Sequence, residues 1–349
     1  MLGLCFESVE KVALRTLPDP VIEQPTDAVV QVQLAGLCGS DLHPFFGREV
    51  GIEPGTVMGH EFVGVVTAVG SEVRAIKPGD RVFAPFTTNC GTCFFCQAGL
   101  TSRCAVGELF GWRQNKRGLH GGQAQAVRVP LADGTLMRIP AGMSDETAIL
   151  LGDNLSTGYY AAEMVGIQPD GVYAVVGCGT VGLLAITAAL RLGATKVFAI
   201  DPNESRLELA GRLGAICCDG EAAATAAILG ATAGRGADGV MELVGLPAAQ
   251  ELAYRLIRPG GVMSVIGCHC APHFAFSPAD AYDKNLTYRT GRCPARHYMS
   301  QLAPALISDP IDLSWCITHR FDISDAAAAY DTFAYRKDGC AKAVLTFDV

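Results

Sequence analysis

The sequence predicts a two-part fold, a β domain joined to an α/β domain with a doubly wound parallel sheet, and three observations predict it. The 349 residues are half apolar and only 18% charged, enough to bury two cores. Up to about residue 150, short apolar runs alternate with glycine and proline, as in Ala28–Leu34, Phe62–Val69 and Arg81–Pro85. That texture fits a small barrel-like β domain. From 171 to 291 strand-like runs alternate with longer helix-like ones, the rhythm of a parallel sheet with right-handed crossovers.

Element by element, strands are expected at Val172–Val176, Lys196–Ile200, Gly239–Val244, Gly261–Ile266 and Leu286–Thr290. Helices are expected at Val181–Leu192, Glu204–Leu213 and Met299–Ile307. A last strand at Lys342–Phe347 is expected to return to the first domain.

The formal charge of −8, without a basic run, disfavours nucleic acid and anionic membrane surfaces and leaves small molecules as partners. The N-terminus carries no basic region or long apolar core of a signal peptide. Gly171–Leu190 is uncharged, but its glycines at motif spacing argue against a membrane span. Fourteen cysteines without a secretion signal point to thiols and metal sites in a cytoplasmic protein.

The expected strand at Val172 runs into Gly177-Cys178-Gly179-Thr180-Val181-Gly182 and then a helix. The first glycine permits a tight turn, the second admits a pyrophosphate, and the third lets helix and strand pack closely. The helix N-terminus offers N–H groups to the phosphates. Asp201, at the tip of the next strand, suits the adenosine ribose hydroxyls and repels a 2′-phosphate, so NAD is expected over NADP. Arg206 lies near enough in sequence to serve the cofactor, but reads as a solvated helix residue, and Cys178 as packing.

Cys90, Cys93, Cys96 and Cys104 follow C-x2-C-x2-C-x7-C. Four thiolates on one loop suit a closed, structural zinc site. An iron–sulfur cluster also takes four cysteines, but no proline follows the last one, and the neighbouring motifs need no electron relay. A second donor set lies in Cys38-Gly-Ser40-Asp41-Leu-His43 and Gly59-His60-Glu61, with Glu61 an extra ligand or supporting carboxylate. An open site needs a third protein ligand, and Asp153 is the only acid between Glu146 and Glu163. Cys268-His269-Cys270 with His273 reads as a pocket or packing feature, and Cys217, Cys218, Cys293, Cys316 and Cys340 as core or surface thiols.

In order and spacing, these motifs resemble the zinc-dependent medium-chain alcohol dehydrogenase/reductase family over essentially the whole chain. They are GHE-x2-G-x5-G at Gly59–Gly70, the CGSDxH segment, the four-cysteine lobe and the glycine fingerprint. The residues around Asp153 and Ala132–Pro140 are most similar to its formaldehyde-dehydrogenase-like bacterial branch. The resemblance implies a GroES-like β-barrel catalytic domain (1–154 and 292–349) and a Rossmann NAD-binding domain (155–291). It places the catalytic zinc on Cys38, His60 and Asp153, with Glu61 approaching during ligand exchange, and makes two zinc ions per chain. It puts Lys342 near the pyrophosphate and Phe86 in the pocket wall, with Trp112 and Leu155 as further pocket candidates.

The expected chemistry is hydride transfer between an alcohol and NAD, interconverting alcohol and aldehyde or ketone. Zinc supplies Lewis acidity, Ser40 and His43 carry the proton to water, and Asp41 fixes the His60 tautomer. The alternatives are a polyol or sugar dehydrogenase, or an aldehyde dismutase that holds its NAD tightly. Family resemblance also implies a homodimer or homotetramer.

Overall fold

The computed structural model describes residues 1–347, which form two compact units: 1–156 with the segment from Pro294 onward, and 157–293. No helix among the described residues is long and apolar enough to cross a membrane. The uncharged stretch from Gly171 divides instead into a buried strand, Val172–Val176, and the helix Thr180–Arg191.

The first unit is built around the strand Ala28–Gly36, which pairs antiparallel with Phe62–Val69, Ala126–Val129 and Ala343–Thr346. Arg81–Phe83, Met137–Arg138 and His319–Asp322 complete a seven-stranded sheet. Two register shifts between Ala28–Gly36 and Phe62–Val69 bend this pair, as bulges do in barrel-forming strands. Leu4, Val30, Val32, Phe62, Val82 and Leu345 fill the core beneath. The C-terminal strand thus joins the first domain as expected.

The second unit is an all-parallel six-stranded sheet. Numbered along the chain its strands lie in the order 3-2-1-4-5-6, the doubly wound dinucleotide-binding topology. Val172–Val176 is buried at every residue, which is why it reads as a continuous apolar run rather than an alternating one. The strands Lys196–Ile200 and Thr287–Thr290 and the helix Glu204–Arg212 lie within a residue of expectation. Ala237–Glu242 and Ile257–Val265 begin earlier than expected. The strand Ile216–Cys218 and the helices Gly220–Ala231 and Pro247–Leu256 were not foreseen.

Candidate active site and metal centres

Antiparallel pairing brings the candidate ligands of the first unit together. Ala35 lies opposite Phe62, and Gly36 N–H donates to the Glu61 carbonyl at 2.9 Å. Cys38, just beyond one strand, therefore meets His60 and Glu61, just before its neighbour. The helix Asp145–Gly152 stops at Asp153, whose φ of −143° and ψ of −74° break the helical path. One sulfur, nitrogen or oxygen from each of Cys38, His60, Glu61 and Asp153 lies within 4.8 Å of the others, and all four residues are buried.

The closest approaches are Cys38 Sγ to Asp153 Oδ2 at 3.4 Å and His60 Nε2 to Asp153 Oδ2 at 3.3 Å. His60 Nδ1 lies 3.1 Å from Asp41 Oδ1, so Asp41 takes one ring nitrogen and leaves Nε2 facing Cys38 and Asp153. Asp41 Oδ2 accepts from Cys38 N–H at 2.9 Å and from Gln123 Nε2 at 3.3 Å, and the Tyr330 hydroxyl donates to Gln123 Oε1 at 3.0 Å. Ser40 Oγ stands 3.3 Å from His60 Nε2. His43 is buried on the short helix Leu42–Phe45. Phe86 packs edge-on to the His60 ring at 6.3 Å between centroids. Leu155 is fully buried, and Trp112 packs half-buried against the core.

The electrostatics of this cluster ask for a cation. Burial, then the Asp153 and Glu61 carboxylates, push the Cys38 thiol up. Burial opposes a charged His60, but Asp41 and Asp153 outweigh it and hold its pKa well above the ordinary value. Burial likewise opposes an ionised Asp153, yet His60 pulls it down to about 2. A thiol, an imidazole and carboxylates crowded out of water are a donor set fitted to zinc, whose charge would relieve the repulsion that keeps Cys38 protonated.

Lys342 is a correction to the sequence reading. Expected at the pyrophosphate, it is fully buried, and its ammonium donates to Glu61 Oε2. The residue precedes the strand Ala343–Thr346, in which Val344 lies opposite Gly36, so its side chain enters this cluster. Asn154 Nδ2 donates to Glu61 Oε1 at 2.8 Å, so Glu61 is held on both oxygens. Glycine at 36 makes the room: a Cβ there would lie 1.9 Å from Glu61 Oε2. Asn154, Gln123 and Tyr330 were missed, because lone polar residues without ligand spacing carry no sequence signal.

The lobe cysteines Cys90, Cys93, Cys96 and Cys104 also have sulfurs within 4.8 Å of one another. Cys90 N–H donates to Cys104 Sγ at 3.2 Å and Cys93 N–H to Cys90 Sγ at 3.3 Å. Burial works against a Cys90 thiolate, but donors at Thr92 and Cys93 lower its pKa to about 6. Phe94 and Val106 are exposed, so the lobe has little apolar core of its own. Four converging sulfurs that accept backbone N–H groups fit one tetrahedral zinc.

In the second unit, Gly177 (φ +93°) makes the turn after Val172–Val176. A Cβ on Gly182 would fall 1.9 Å from the Gly177 carbonyl oxygen, so only glycine lets helix and loop close. Gly179 has an open Cα, and it starts the helix at Thr180 and Val181 with no side-chain cap over the N–H groups. Asp201 is buried and ties the loop, accepting from Cys178 N–H at 2.8 Å and Asn203 N–H at 2.9 Å. Arg206 departs from the expected solvated residue: it folds back to 3.6 Å from Asp201 Oδ2 with 18% of its side chain exposed. The cause is the buried Asp201 carboxylate, which attracts it. Cys178 is fully buried, as packing requires.

Comparison with known proteins agrees with this architecture. Residues 24–141 match the family model of the alcohol dehydrogenase GroES-like domain, and residues 180–308 that of the zinc-binding dehydrogenases. The chain is 44% identical to a medium-chain reductase/dehydrogenase from an Acremonium species, over 81% of this chain and 98% of the relative. It is 40% identical to zinc-type alcohol dehydrogenase B of Aspergillus flavus, over 95% of this chain and 78% of the relative. Among solved structures, alcohol dehydrogenase TADH from Thermus sp. ATN1 superposes over all of both chains with a TM-score of 0.92 and 37% identity. Two family models and relatives matched over most of their length agree: this protein belongs to the zinc-dependent medium-chain alcohol dehydrogenase/reductase family.

Proposed function

We propose that the protein is a zinc alcohol dehydrogenase that moves hydride between a small alcohol and NAD. The observation that carries this is the buried convergence of Cys38, His60, Glu61 and Asp153. Cys38, His60 and Asp153 hold the catalytic zinc, and Glu61, retained by Lys342 and Asn154, stands in reserve. A zinc ion there lowers the pKa of a substrate hydroxyl and polarises a carbonyl.

The chain's own residues do the rest. Asp41 Oδ1 accepts a hydrogen bond from His60 Nδ1–H and so keeps Nε2 available as a ligand. Ser40 Oγ accepts the substrate's hydroxyl proton, and His43 passes it outward. Phe86, with Leu155 and Trp112, excludes water from the reacting carbon. Cys90, Cys93, Cys96 and Cys104 would hold a second, structural zinc and so tie the lobe together. Gly177, Gly179, Thr180, Val181 and Gly182 receive the pyrophosphate, and Asp201 selects NAD, with Arg206 beside it at the ribose.

The test is metal analysis of the purified protein with a screen of alcohols, polyols and aldehydes at the NADH absorbance. Two zinc ions per chain and NADH formation from simple alcohols are expected, and Asp153→Ala is expected to abolish turnover while the lobe stays metallated. Full activity with two zinc ions retained in Asp153→Ala removes it from the ligand set. NADH released only with polyols makes the protein a polyol dehydrogenase, and disproportionation of aldehyde without free NADH makes it a dismutase.

A further inference from the structure

Cys268-His269-Cys270 was expected to be a pocket or packing feature, and the exposure of both cysteines argues against packing. Both cysteines are exposed, and their sulfurs lie within 4.8 Å of each other. Between them His269 is turned inward, with Nε2 2.8 Å from Glu242 Oε2. The other Glu242 oxygen accepts from Val244 N–H at 2.9 Å and Gly245 N–H at 2.8 Å. Two solvent-facing thiols therefore flank a residue anchored in the sheet.

This loop is in contact with the glycine fingerprint through one intermediary. A Cβ on Gly245 would lie 2.4 Å from the Cys268 carbonyl oxygen, so the two backbones touch. A Cβ on Gly177 would lie 2.4 Å from Val244 Cγ2, so the residue beside Gly245 packs on the phosphate turn. The three loops follow neighbouring strands of the sheet, at the carboxyl ends where such folds bind their ligand.

We propose that Cys268 and Cys270 are a redox modification site, closing reversibly into a disulfide that weakens dinucleotide binding. The oxidant is a low-molecular-weight disulfide such as glutathione disulfide. One cysteine thiolate attacks it, forming a mixed disulfide and releasing one glutathione. The second cysteine then attacks the protein sulfur of that bond, forming Cys268–Cys270 and releasing the other glutathione. The two protein thiols give up two electrons and two protons, which leave with the two glutathione thiols. Ring closure curls residues 268–270, draws His269 off Glu242 and shifts the backbone that abuts Gly245. Of the other cysteines, Cys217 is exposed but its neighbour Cys218 is buried, so it has no exposed partner beside it in sequence.

The functional half of this proposal rests on the second unit binding a dinucleotide. The experiment incubates the full-length zinc-loaded protein with glutathione disulfide, maps its peptides by mass and titrates NADH by fluorescence. The peptide carrying residues 268–270 is expected to lose two hydrogens, and Cys268→Ser and Cys270→Ser each to carry a single glutathione adduct instead. NADH affinity is expected to fall about tenfold on oxidation, to recover with dithiothreitol, and to be insensitive to oxidant in the double serine variant. Two glutathione adducts without an internal bond overturn the disulfide. An internal bond with unchanged NADH affinity overturns its effect on the cofactor. Failure of the reduced protein to bind NADH strikes the proposed function instead, and leaves the peptide mass as a separate reading.

Discussion

Lys342 and Glu61 form an ion pair with side-chain exposures of 0% and 1%, one partner from just before the last strand and one from the metal-site motif. Burial pushes the Glu61 carboxyl up, and the Lys342 ammonium opposes that shift. Breaking such a pair from one side leaves an uncompensated buried charge, which costs about 3–5 kcal/mol. Lys342→Met is expected to lower the melting temperature markedly, and Glu61→Gln combined with Lys342→Met to recover much of it. A Lys342→Met protein that melts with the wild type shows that the pair is not a stabilising contact.

Asp41 contacts His60 Nδ1 at 3.1 Å, so its proposed role is to position that ring. Asp41→Asn is expected to weaken catalytic zinc about 10–100-fold in a chelator competition, with the four-cysteine lobe keeping its metal. Equal zinc affinity in variant and wild type assigns Asp41 to the Cys38 turn alone, where its Oδ2 accepts from Cys38 N–H.

Apolar residues of the cysteine lobe such as Phe94 and Val106 face solvent, so the lobe is expected to depend on a bound metal. Cys93→Ser is expected to retain one zinc per chain and to become protease-sensitive between Cys90 and Cys104. Limited proteolysis with metal analysis reads both effects; an intact, protease-resistant lobe with one zinc lost shows that the loop folds unaided.

Gly182 has no space for a methyl group. Gly182→Ala must push the helix Thr180–Arg191 off the Gly177 turn, so NADH affinity is expected to fall about tenfold or more while both zinc ions are retained. Unchanged NADH affinity in a folded variant places the dinucleotide elsewhere.

A pH effect is expected from Asp238. Burial raises its pKa, but Arg258 Nε at 2.7 Å and Val172 N–H at 2.8 Å outweigh this and lower it from the ordinary carboxylate value. A folded pKa below the unfolded one gives stability that is complete above the ordinary carboxylate range and is lost as pH falls through the folded value. Asp238→Asn is therefore expected to cost about 1 kcal/mol at neutral pH and nothing in strong acid, by urea unfolding at both pH values. A difference that persists in strong acid assigns the loss to packing.

Residues that act by spacing were legible in the sequence. The four lobe cysteines, His60 beside Glu61, and the glycines from 177 to 182 each sit where local chain geometry dictates their use. Val172–Val176 and Phe62–Val69 were legible to the residue, because uniform burial or a long β-branched run leaves little choice of boundary. Ile216–Cys218 was not, since three residues carry no period. The helix Gly220–Ala231 was hidden by alanines that spread its apolar character around the axis. The roles of Lys342, Asn154, Gln123 and Tyr330 were illegible for another reason: each depends on which strands become neighbours, and pairing across hundreds of residues leaves no mark in local pattern.

The placement of Lys342 also orders events on the ribosome. Every residue assigned to the two proposed metal centres has been synthesised by Asp153, yet the counter-ion for Glu61 and the strand Ala343–Thr346 that flanks Ala28–Gly36 come only after the whole second unit. The two segments of the first unit therefore cannot pair until the intervening residues 157–293 have been synthesised.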